Sequence, residues 1–293
     1  MFRNSFIPQK ELSYAVRPGV VLKYLGQLCL IAAVLTLVPL VGSLLWDDYG
    51  ISFRYGMVTA LLGAFGAVSS RFPAPRRVQR NEALVVSAGM FVITSCVMAV
   101  PLMGSGLDFI DAWFESTSAV TTTGLSTTGT VEGKPQTFLF GRAWMQWYGG
   151  LGIVGLSLGL AMQPGLVARR LALTQSDEDD IVGSTRAHAR RVLLIYGSLT
   201  AAGIFVIWLF GAGWFDAVIH GFAAVSTGGF SAHDDSLASL SPPVQIAVTG
   251  LACAGAVSLP LYWLSGRRPW RRLLTDPQLW ALLLCGGLAA ELL

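Results

Sequence analysis

The sequence contains one short segment twice, at a fixed offset. Residues 109–126 align without a gap with residues 214–231, an offset of 105 positions (229 − 124 = 105). Each copy is a short apolar run that ends in hydroxyl-bearing residues and glycine, Thr121-Thr-Thr-Gly124 in the first copy and Ser226-Thr-Gly-Gly229 in the second. Both copies lie between long apolar stretches. A short helix that stops inside a membrane and continues as a Thr/Gly backbone loop is the arrangement from which ion selectivity filters are built.

The composition predicts a membrane protein with several spans. Apolar residues make up 53% of the chain and charged residues only 13%, which excludes an ordinary soluble domain. The net charge of +3 is too small to indicate a nucleic-acid partner, so the lipid bilayer is the expected environment. The four cysteines have no CxxC spacing, and we expect small buried side chains rather than disulfides or a zinc site. They are Cys29, Cys96, Cys253 and Cys285.

Apolar stretches long enough to cross about 30 Å of hydrocarbon occur repeatedly along the chain. Five predicted spans cover 20–46, 82–103, 138–162, 192–211 and 244–264. A shorter, glycine-containing sixth covers 54–70, and a seventh covers 279–293. The predicted fold class is therefore an all-α polytopic membrane protein.

The segments between these spans alternate in charge. Arginines cluster at 71–80, 169–191 and 267–272, whereas acidic residues cluster at 47–48, 108–132 and 216–235. Basic loops remain in the cytoplasm. We therefore expect a cytoplasmic N-terminus, with the arginine-rich segments inside and both Thr/Gly loops opening to the outer face.

The predicted repeat is a span, a re-entrant half-helix, a selectivity-filter loop and a second span. One copy covers 82–162 and the other 192–264. Irregular backbone is tolerated within a bilayer only where it is buried in protein or lines a water-filled path, so the two loops indicate a permeation path. A central pore needs about four such segments, and further repeats or another chain must supply the others. The predicted organisation is a leading pair of helices in 1–81, a first repeat with its cytoplasmic loop in 82–191, a second repeat in 192–275 and the start of a third in 276–293.

The two loops carry oxygens that can replace the hydration shell of a monovalent cation. Gly124 and Gly229 allow backbone angles that a Cβ forbids, so carbonyl groups can turn towards an ion. The C-terminal end of each half-helix is partially negative and favours a cation. Neither loop contains a carboxylate, which argues against a divalent-cation filter. Hydroxyl groups can add oxygens or fix the loops from behind; they belong to Thr121, Thr122, Thr123, Ser226 and Thr227.

Polar residues near the half-helices have their own interpretations. Asp111 and Asp216 lie near the N-terminal ends, where we expect carboxylates to cap exposed N–H groups. His220 replaces Glu115 in the second half-helix, and we expect it to pack beside the loop, with a pH response as the alternative. Arg142 lies near the outer end of its span, where its side chain can snorkel to the interface.

No enzyme is expected from this sequence. Gly150-Leu-Gly-Ile-Val-Gly155 matches a dinucleotide fingerprint, but it lies inside an apolar span rather than between a strand and a helix. Close helix packing is the better interpretation. The acidic run 176–180 is expected to be a solvated part of a cytoplasmic loop.

Three segments carry a family resemblance. They are Trp113-Phe-Glu-Ser followed by Thr-Thr-Thr-Gly124, then Gln146-Trp-Tyr-Gly-Gly-Leu-Gly-Ile153, and Val225-Ser-Thr-Gly-Gly-Phe-Ser-Ala-His-Asp234. With the spans around them, they resemble the TrkH/KtrB/HKT superfamily of potassium transporters, and most closely its TrkH branch.

The resemblance implies four span–pore–span repeats around one central pore, after two leading spans that match 20–70 here. It implies K⁺ uptake across the bacterial inner membrane by a multi-pass protein, with K⁺ as the transported ion and no cofactor. It also implies a homodimer controlled by a cytoplasmic nucleotide-binding ring of the TrkA type.

The same resemblance assigns the filter residues by motif. In plant members, serine in place of the first filter glycine is associated with Na⁺ transport, whereas Gly124 and Gly229 are glycines here, which favours K⁺. The implied ion-coordinating backbone belongs to Thr122, Thr123, Gly124, Thr227, Gly228 and Gly229, flanked by Thr121 and Ser226.

The family has about four repeats, and this sequence ends early in the third. The other half would hold two more filter segments and the intramembrane gating loop of the family. We expect a piece of a longer protein, because Leu293 lies inside an apolar stretch; a half-length protein that pairs with a partner is the alternative. The alternative function is accordingly a non-conducting membrane subunit that scaffolds or regulates a complete cation transporter.

Overall fold

The computed structural model describes residues 16–73, 78–161 and 178–257, with isolated residues beyond them. All the regular structure in these ranges is helical, which confirms the predicted fold class. A short 3₁₀ turn, Met103–Ser105, follows the third helix. The α-helices are α1 Pro18–Leu45, α2 Tyr49–Ser69, α3 Arg80–Leu102, α4 Phe109–Val120, α5 Gln136–Ala161, α6 Glu178–Leu209, α7 Trp214–Val225 and α8 Pro242–Ala256.

The helices α1 and α2 form a tight hairpin. Small residues at their crossing allow the two backbones to approach closely. A Cβ placed on Gly66 would lie 2.7 Å from the carbonyl oxygen of Gly26, and one placed on Gly26 would lie 2.6 Å from Cβ of Ser69. The side-chain oxygens of Thr36 and Thr59 also lie 2.9 Å apart across the pair. The hairpin lies in the region 1–81, for which a leading pair of helices is predicted.

Four helices within the described ranges are long and apolar enough to cross a membrane. They are Pro18–Leu45, Tyr49–Ser69, Asn81–Ser105 and the Ala189–Leu209 part of α6. The protein is thus a multi-pass membrane protein, and these helices match four of the predicted spans. The predicted spans 138–162 and 244–264 correspond to α5 and to the shorter α8, whereas most of 279–293 lies outside the described residues.

One boundary differs strongly from its prediction. Helix α6 begins at Glu178, 14 residues before the predicted span at 192. Residues 178–180 are therefore helical rather than part of a loop, and 176–177 lie outside the described residues.

The half-helices α4 and α7 contain 12 residues each, or about 18 Å at 1.5 Å per residue. That length reaches only partway through about 30 Å of hydrocarbon, as expected of re-entrant helices. Helix α4 packs between α3 and α5, and α7 packs between α6 and α8. Helix α5 also packs against α7, so this helix of the first repeat contacts the second repeat. Phe222 of α7 contacts the aromatic rings of Trp144 and Trp147 there.

Candidate functional site: two re-entrant helices and their loops

We define loop 1 as Thr121–Gly124 and loop 2 as Ser226–Gly229. Both begin with the same helix-ending motif, in which a residue in the left-handed region reverses the chain. In loop 1, Thr122 has φ 55°, its N–H donates to Ala119 O at 3.0 Å, and the N–H of Thr123 donates to Ser118 O at 2.9 Å. The motif satisfies two of the last carbonyl groups of α4 with hydrogen bonds and directs the chain away from the helix.

Loop 2 repeats this motif at the equivalent positions. Thr227 has φ 52°, its N–H donates to Ala224 O at 3.0 Å, and the N–H of Gly228 donates to Ala223 O at 2.8 Å. A β-branched residue in the left-handed region is a strained exception. Two such exceptions at equivalent positions point to a functional constraint on both loops.

Two residues further on, each loop has a second left-handed residue, which is a glycine. Gly124 has φ 79° and Gly229 has φ 81°. Gly124 also touches the other loop, because a Cβ placed on it would collide with the carbonyl oxygen of Gly228. The two loops are therefore neighbours, as two segments around one path must be.

The second span of each repeat supports the end of its half-helix through glycine. A Cβ on Gly149 of α5 would collide with the carbonyl oxygen of Val120, and a Cβ on Gly255 of α8 would lie 2.5 Å from that of Val225. Val120 and Val225 are the last residues of α4 and α7. The predicted close packing of the glycine-rich span is confirmed at Gly150, whose Cβ would lie 2.9 Å from Cβ of Ser226. A Cβ at Gly155 meets nothing within 4 Å among the described residues.

Four of the loop hydroxyl groups, those of Thr121, Thr123, Ser226 and Thr227, are bound within the protein. Thr121 donates its hydroxyl to Thr117 O at 2.7 Å, and its oxygen lies 2.8 Å from that of Thr123. Ser226 donates to Phe222 O at 2.8 Å, and Thr227 donates to Ser226 O at 2.7 Å. We expect these hydroxyl groups either to add oxygens for the ion or to fix the loops. The observed hydrogen bonds match the second role.

Behind loop 1 lies the buried carboxylate of Glu115. Its Oε1 accepts hydrogen bonds from the hydroxyl of Ser126 at 2.5 Å and from the N–H of Thr127 at 2.8 Å. Thr128 adds its N–H at 3.2 Å and its hydroxyl at 3.1 Å. These bonds fix the chain that leaves loop 1.

Arg142 of α5 forms the cationic partner of Glu115. Its Nε lies 3.0 Å from Oε2 of Glu115, and its guanidinium carbon lies 3.8 Å from the ring centroid of Phe230, directly after loop 2. The expected snorkelling of Arg142 is wrong, because the residue is only 2% exposed and the carboxylate compensates its charge inside the protein. Arg142 thus contacts the structure behind both loops.

His220 takes the place of Glu115 in α7, and it packs beside loop 2 as expected. Its Nδ1 lies 2.9 Å from Asp216 O, and its Nε2 lies 3.1 Å from the hydroxyl of Ser231. The ring of His233 stacks on it with a centroid distance of 6.0 Å. His233 in turn reaches the Asp216 carboxylate, with Nε2 3.0 Å from Oδ1.

The caps of the half-helices differ from the expectation. Asp108, not Asp111, is the N-cap of α4, and its side chain accepts from the N–H of Asp111 at 2.8 Å. Asp111 is already in the first turn, where a side chain complements the dipole but cannot reach forward as a cap does. Gly213 precedes α7 without a side-chain cap, and Asp216 binds His233 instead.

The chains beyond the two loops are joined to each other. The N–H of Val131 donates to Oδ1 of Asp234 at 2.5 Å, and that of Glu132 donates to the same oxygen at 3.3 Å. In return, the N–H of Asp234 donates to Glu132 Oε1 at 3.4 Å. The two repeats are therefore joined beyond both loops.

Gln146 of α5 is a site residue that the sequence reasoning did not assign. It is fully buried, and its amide binds the backbone on both sides of Gly229. Nε2 donates to Gly228 O at 2.7 Å, and Oε1 accepts from the N–H of Phe230 at 3.3 Å. A signal was present, because Arg142 and Gln146 are polar residues four positions apart in an apolar span and so share one helix face.

These features define a class of protein. The chain is a polytopic membrane protein in which two re-entrant half-helices each end in a backbone loop, and the two loops contact each other. No cluster of three His, Cys, Asp or Glu side chains suited to a metal ion occurs among the described residues.

The chain belongs to the TrkH family of cation transport proteins, whose sequence model matches residues 52–284. It is 30% identical over 240 residues to an uncharacterized cation transporter of Methanocaldococcus jannaschii, covering 81% of this chain and 50% of the relative. It is also 30% identical over 234 residues to the Trk system potassium uptake protein TrkH of Escherichia coli, covering 75% and 47%.

A solved structure gives the same result. The crystal structure of the potassium transporter TrkH from Vibrio parahaemolyticus matches with a TM-score of 0.74 and 25% identity, over 91% of this chain and 56% of that one. The chain spans about half the length of the relatives that it matches.

Proposed function

We propose that this chain forms part of a K⁺ uptake pathway across the bacterial inner membrane. K⁺ passes a filter to which loops 1 and 2 contribute two of the segments. The observation that carries this proposal is that each loop has two left-handed residues at equivalent positions, Thr122 and Gly124 in loop 1 and Thr227 and Gly229 in loop 2. Two strained, non-helical loops at equivalent positions, in contact at Gly124 and Gly228, are what a shared path requires.

The coordinating atoms are proposed to belong to the backbone of Thr122, Thr123 and Gly124 and of Thr227, Gly228 and Gly229. Thr121 and Ser226 flank them and tie the loops to their half-helices. The absence of carboxylates from both loops favours a monovalent cation. The names of the E. coli and V. parahaemolyticus relatives support K⁺ as that cation.

The other proposed assignments rest on charge and on the family. The arginine-rich segments favour a cytoplasmic N-terminus, with both loops opening outwards. The leading pair in 1–81 and the repeats in 82–191 and 192–275, with a third starting in 276–293, remain the proposed organisation. A homodimer and a cytoplasmic nucleotide-binding ring of the TrkA type are proposed partners.

Growth at low K⁺ tests this function. A bacterium that lacks its own K⁺ uptake systems should grow at low external K⁺, and take up Rb⁺, when it produces this chain together with the segments that complete the filter. Growth and uptake that stay unchanged when Gly124→Ala is introduced there would support the alternative, a non-conducting subunit that scaffolds or regulates a complete transporter.

A further inference from the structure

The amide of Gln146 contacts loop 2 as a neighbouring strand would. It donates to the carbonyl of Gly228 and accepts from the N–H of Phe230, so it binds the peptide groups before and after Gly229. A Cβ on Gly228 would collide with this amide, which shows how closely the side chain lies against the loop.

Peptide geometry then sets the direction of the carbonyl groups. The described chain contains no cis peptide, and in a planar trans peptide the N–H and C=O bonds point in opposite directions. Because the N–H of Phe230 points to Gln146, the carbonyl of Gly229 points away from α5. The carbonyl of Gly228 has the opposite direction and points to α5.

Burial along loop 2 alternates from residue to residue, as the directions of the carbonyl groups do. Thr227 and Gly229 are exposed, whereas Gly228 and Phe230 are buried. The Gly228 oxygen lies between Gln146 and Gly124 of loop 1. A Cβ on Gly229 would meet nothing within 4 Å among the described residues, so the space beside that residue is open.

We propose that Gln146 is a positioning residue that decides which carbonyl oxygens of loop 2 face the ion. It holds the Gly229 carbonyl away from α5, where its oxygen can coordinate the ion, and it keeps the Gly228 carbonyl turned towards α5 and out of the path. The inference rests on the proposed function and reduces its set of coordinating carbonyl groups, because Gly228 then contributes its small size rather than its oxygen. Gln146 reaches loop 2 from the first repeat, so the selectivity of the second loop depends on a helix of the first.

Amide hydrogen exchange tests the hydrogen bonds without any need for transport. In Gln146→Met, which keeps the volume but loses the amide, the N–H of Phe230 should exchange about tenfold faster, as for the loss of one hydrogen bond. Gln146→Asn keeps the amide, but its side chain is one methylene shorter. It should also make the N–H of Phe230 exchange faster. Thr200→Val is the matched control, because it removes a buried hydroxyl bound to Trp147 and Tyr196 and should leave Phe230 unchanged. An unchanged Phe230 amide in both Gln146 variants overturns the inference.

Cation-dependent stability tests the consequence for selectivity. In the unsubstituted chain and in Thr200→Val, K⁺ should raise the melting temperature more than Na⁺ does. In both Gln146 variants this K⁺-over-Na⁺ difference should be lost. A difference that survives in the Gln146 variants, or is absent from the unsubstituted chain, overturns the inference. Absence of uptake together with an intact, Gln146-dependent difference contradicts the proposed function alone.

Discussion

The carboxylate of Glu115 and the imidazole of His220 each bind the serine that lies 11 positions further along the chain. These pairs are equivalent, since both members are offset by 105 residues (220 − 115 = 105 and 231 − 126 = 105). Each repeat therefore fixes the chain that leaves its loop at the same point, but with different chemistry. The first repeat uses an acid paired with Arg142, and the second uses a ring bound between Asp216 and Ser231.

The buried pair of Glu115 and Arg142 predicts strong coupling between two substitutions. Arg142→Met leaves a buried carboxylate without its cation and should lower the free energy of unfolding by about 3–5 kcal/mol. Adding Glu115→Gln removes the uncompensated charge, so the double variant should regain most of that loss. Denaturant unfolding of the four proteins at constant K⁺ measures the coupling. Effects that simply add would show that the pair does not act as a unit.

The two serines predict unequal effects of the same change. Ser231→Ala leaves Nε2 of a buried histidine without its partner and should destabilise the protein by about 1–3 kcal/mol. Ser126→Ala is the matched control, because Glu115 Oε1 keeps its bonds to Thr127 and Thr128; its effect should be clearly smaller. Melting temperatures of the two variants measured side by side decide the point. An equal or larger loss in Ser126→Ala contradicts the interpretation of both sites.

The glycines of α5 predict a local pattern of tolerance. Gly149→Ala forces a methyl group against the Val120 carbonyl and should cost about 1–3 kcal/mol, as overpacking does. Gly155→Ala has open space and should be neutral or slightly stabilising, because alanine favours helix. Thermal unfolding of both variants checks this. A destabilising Gly155→Ala would show that the glycine run has a further role beyond the contacts described.

The spans could be predicted closely because their length follows from the thickness of the bilayer. The predicted span 20–46 corresponds to the helix Pro18–Leu45, and the predicted span 82–103 corresponds to Arg80–Leu102. The position of both half-helices followed from the internal repeat. The length of the apolar stretches and the internal repeat thus predict most of the fold.

The contacts behind the loops could not be predicted in this way. Gln146 binds a residue 82 positions away, and no pattern within one span reports such a pairing. The sequence around Arg142 predicts an interfacial residue, because it does not show that the partner Glu115 packs against it from another helix. The predicted cap of α4, Asp111, lies three residues after the observed cap, Asp108, because capping depends on the exact turn at which a helix begins.

Uptake of Rb⁺ tests the central claim most directly, in cells that produce Gly124→Ala together with the segments that complete the filter. The new methyl group would meet the Gly228 carbonyl at the contact between the loops, on a residue held at φ 79°, and strain of this kind costs about 1–2 kcal/mol before any clash is counted. Gly129→Ala is the control, because it lies on the same connection with nothing within 4 Å of its Cβ among the described residues. We predict that Gly124→Ala abolishes uptake at normal membrane abundance while Gly129→Ala transports like the unsubstituted chain. Equal uptake by all three proteins would contradict a path between the two loops.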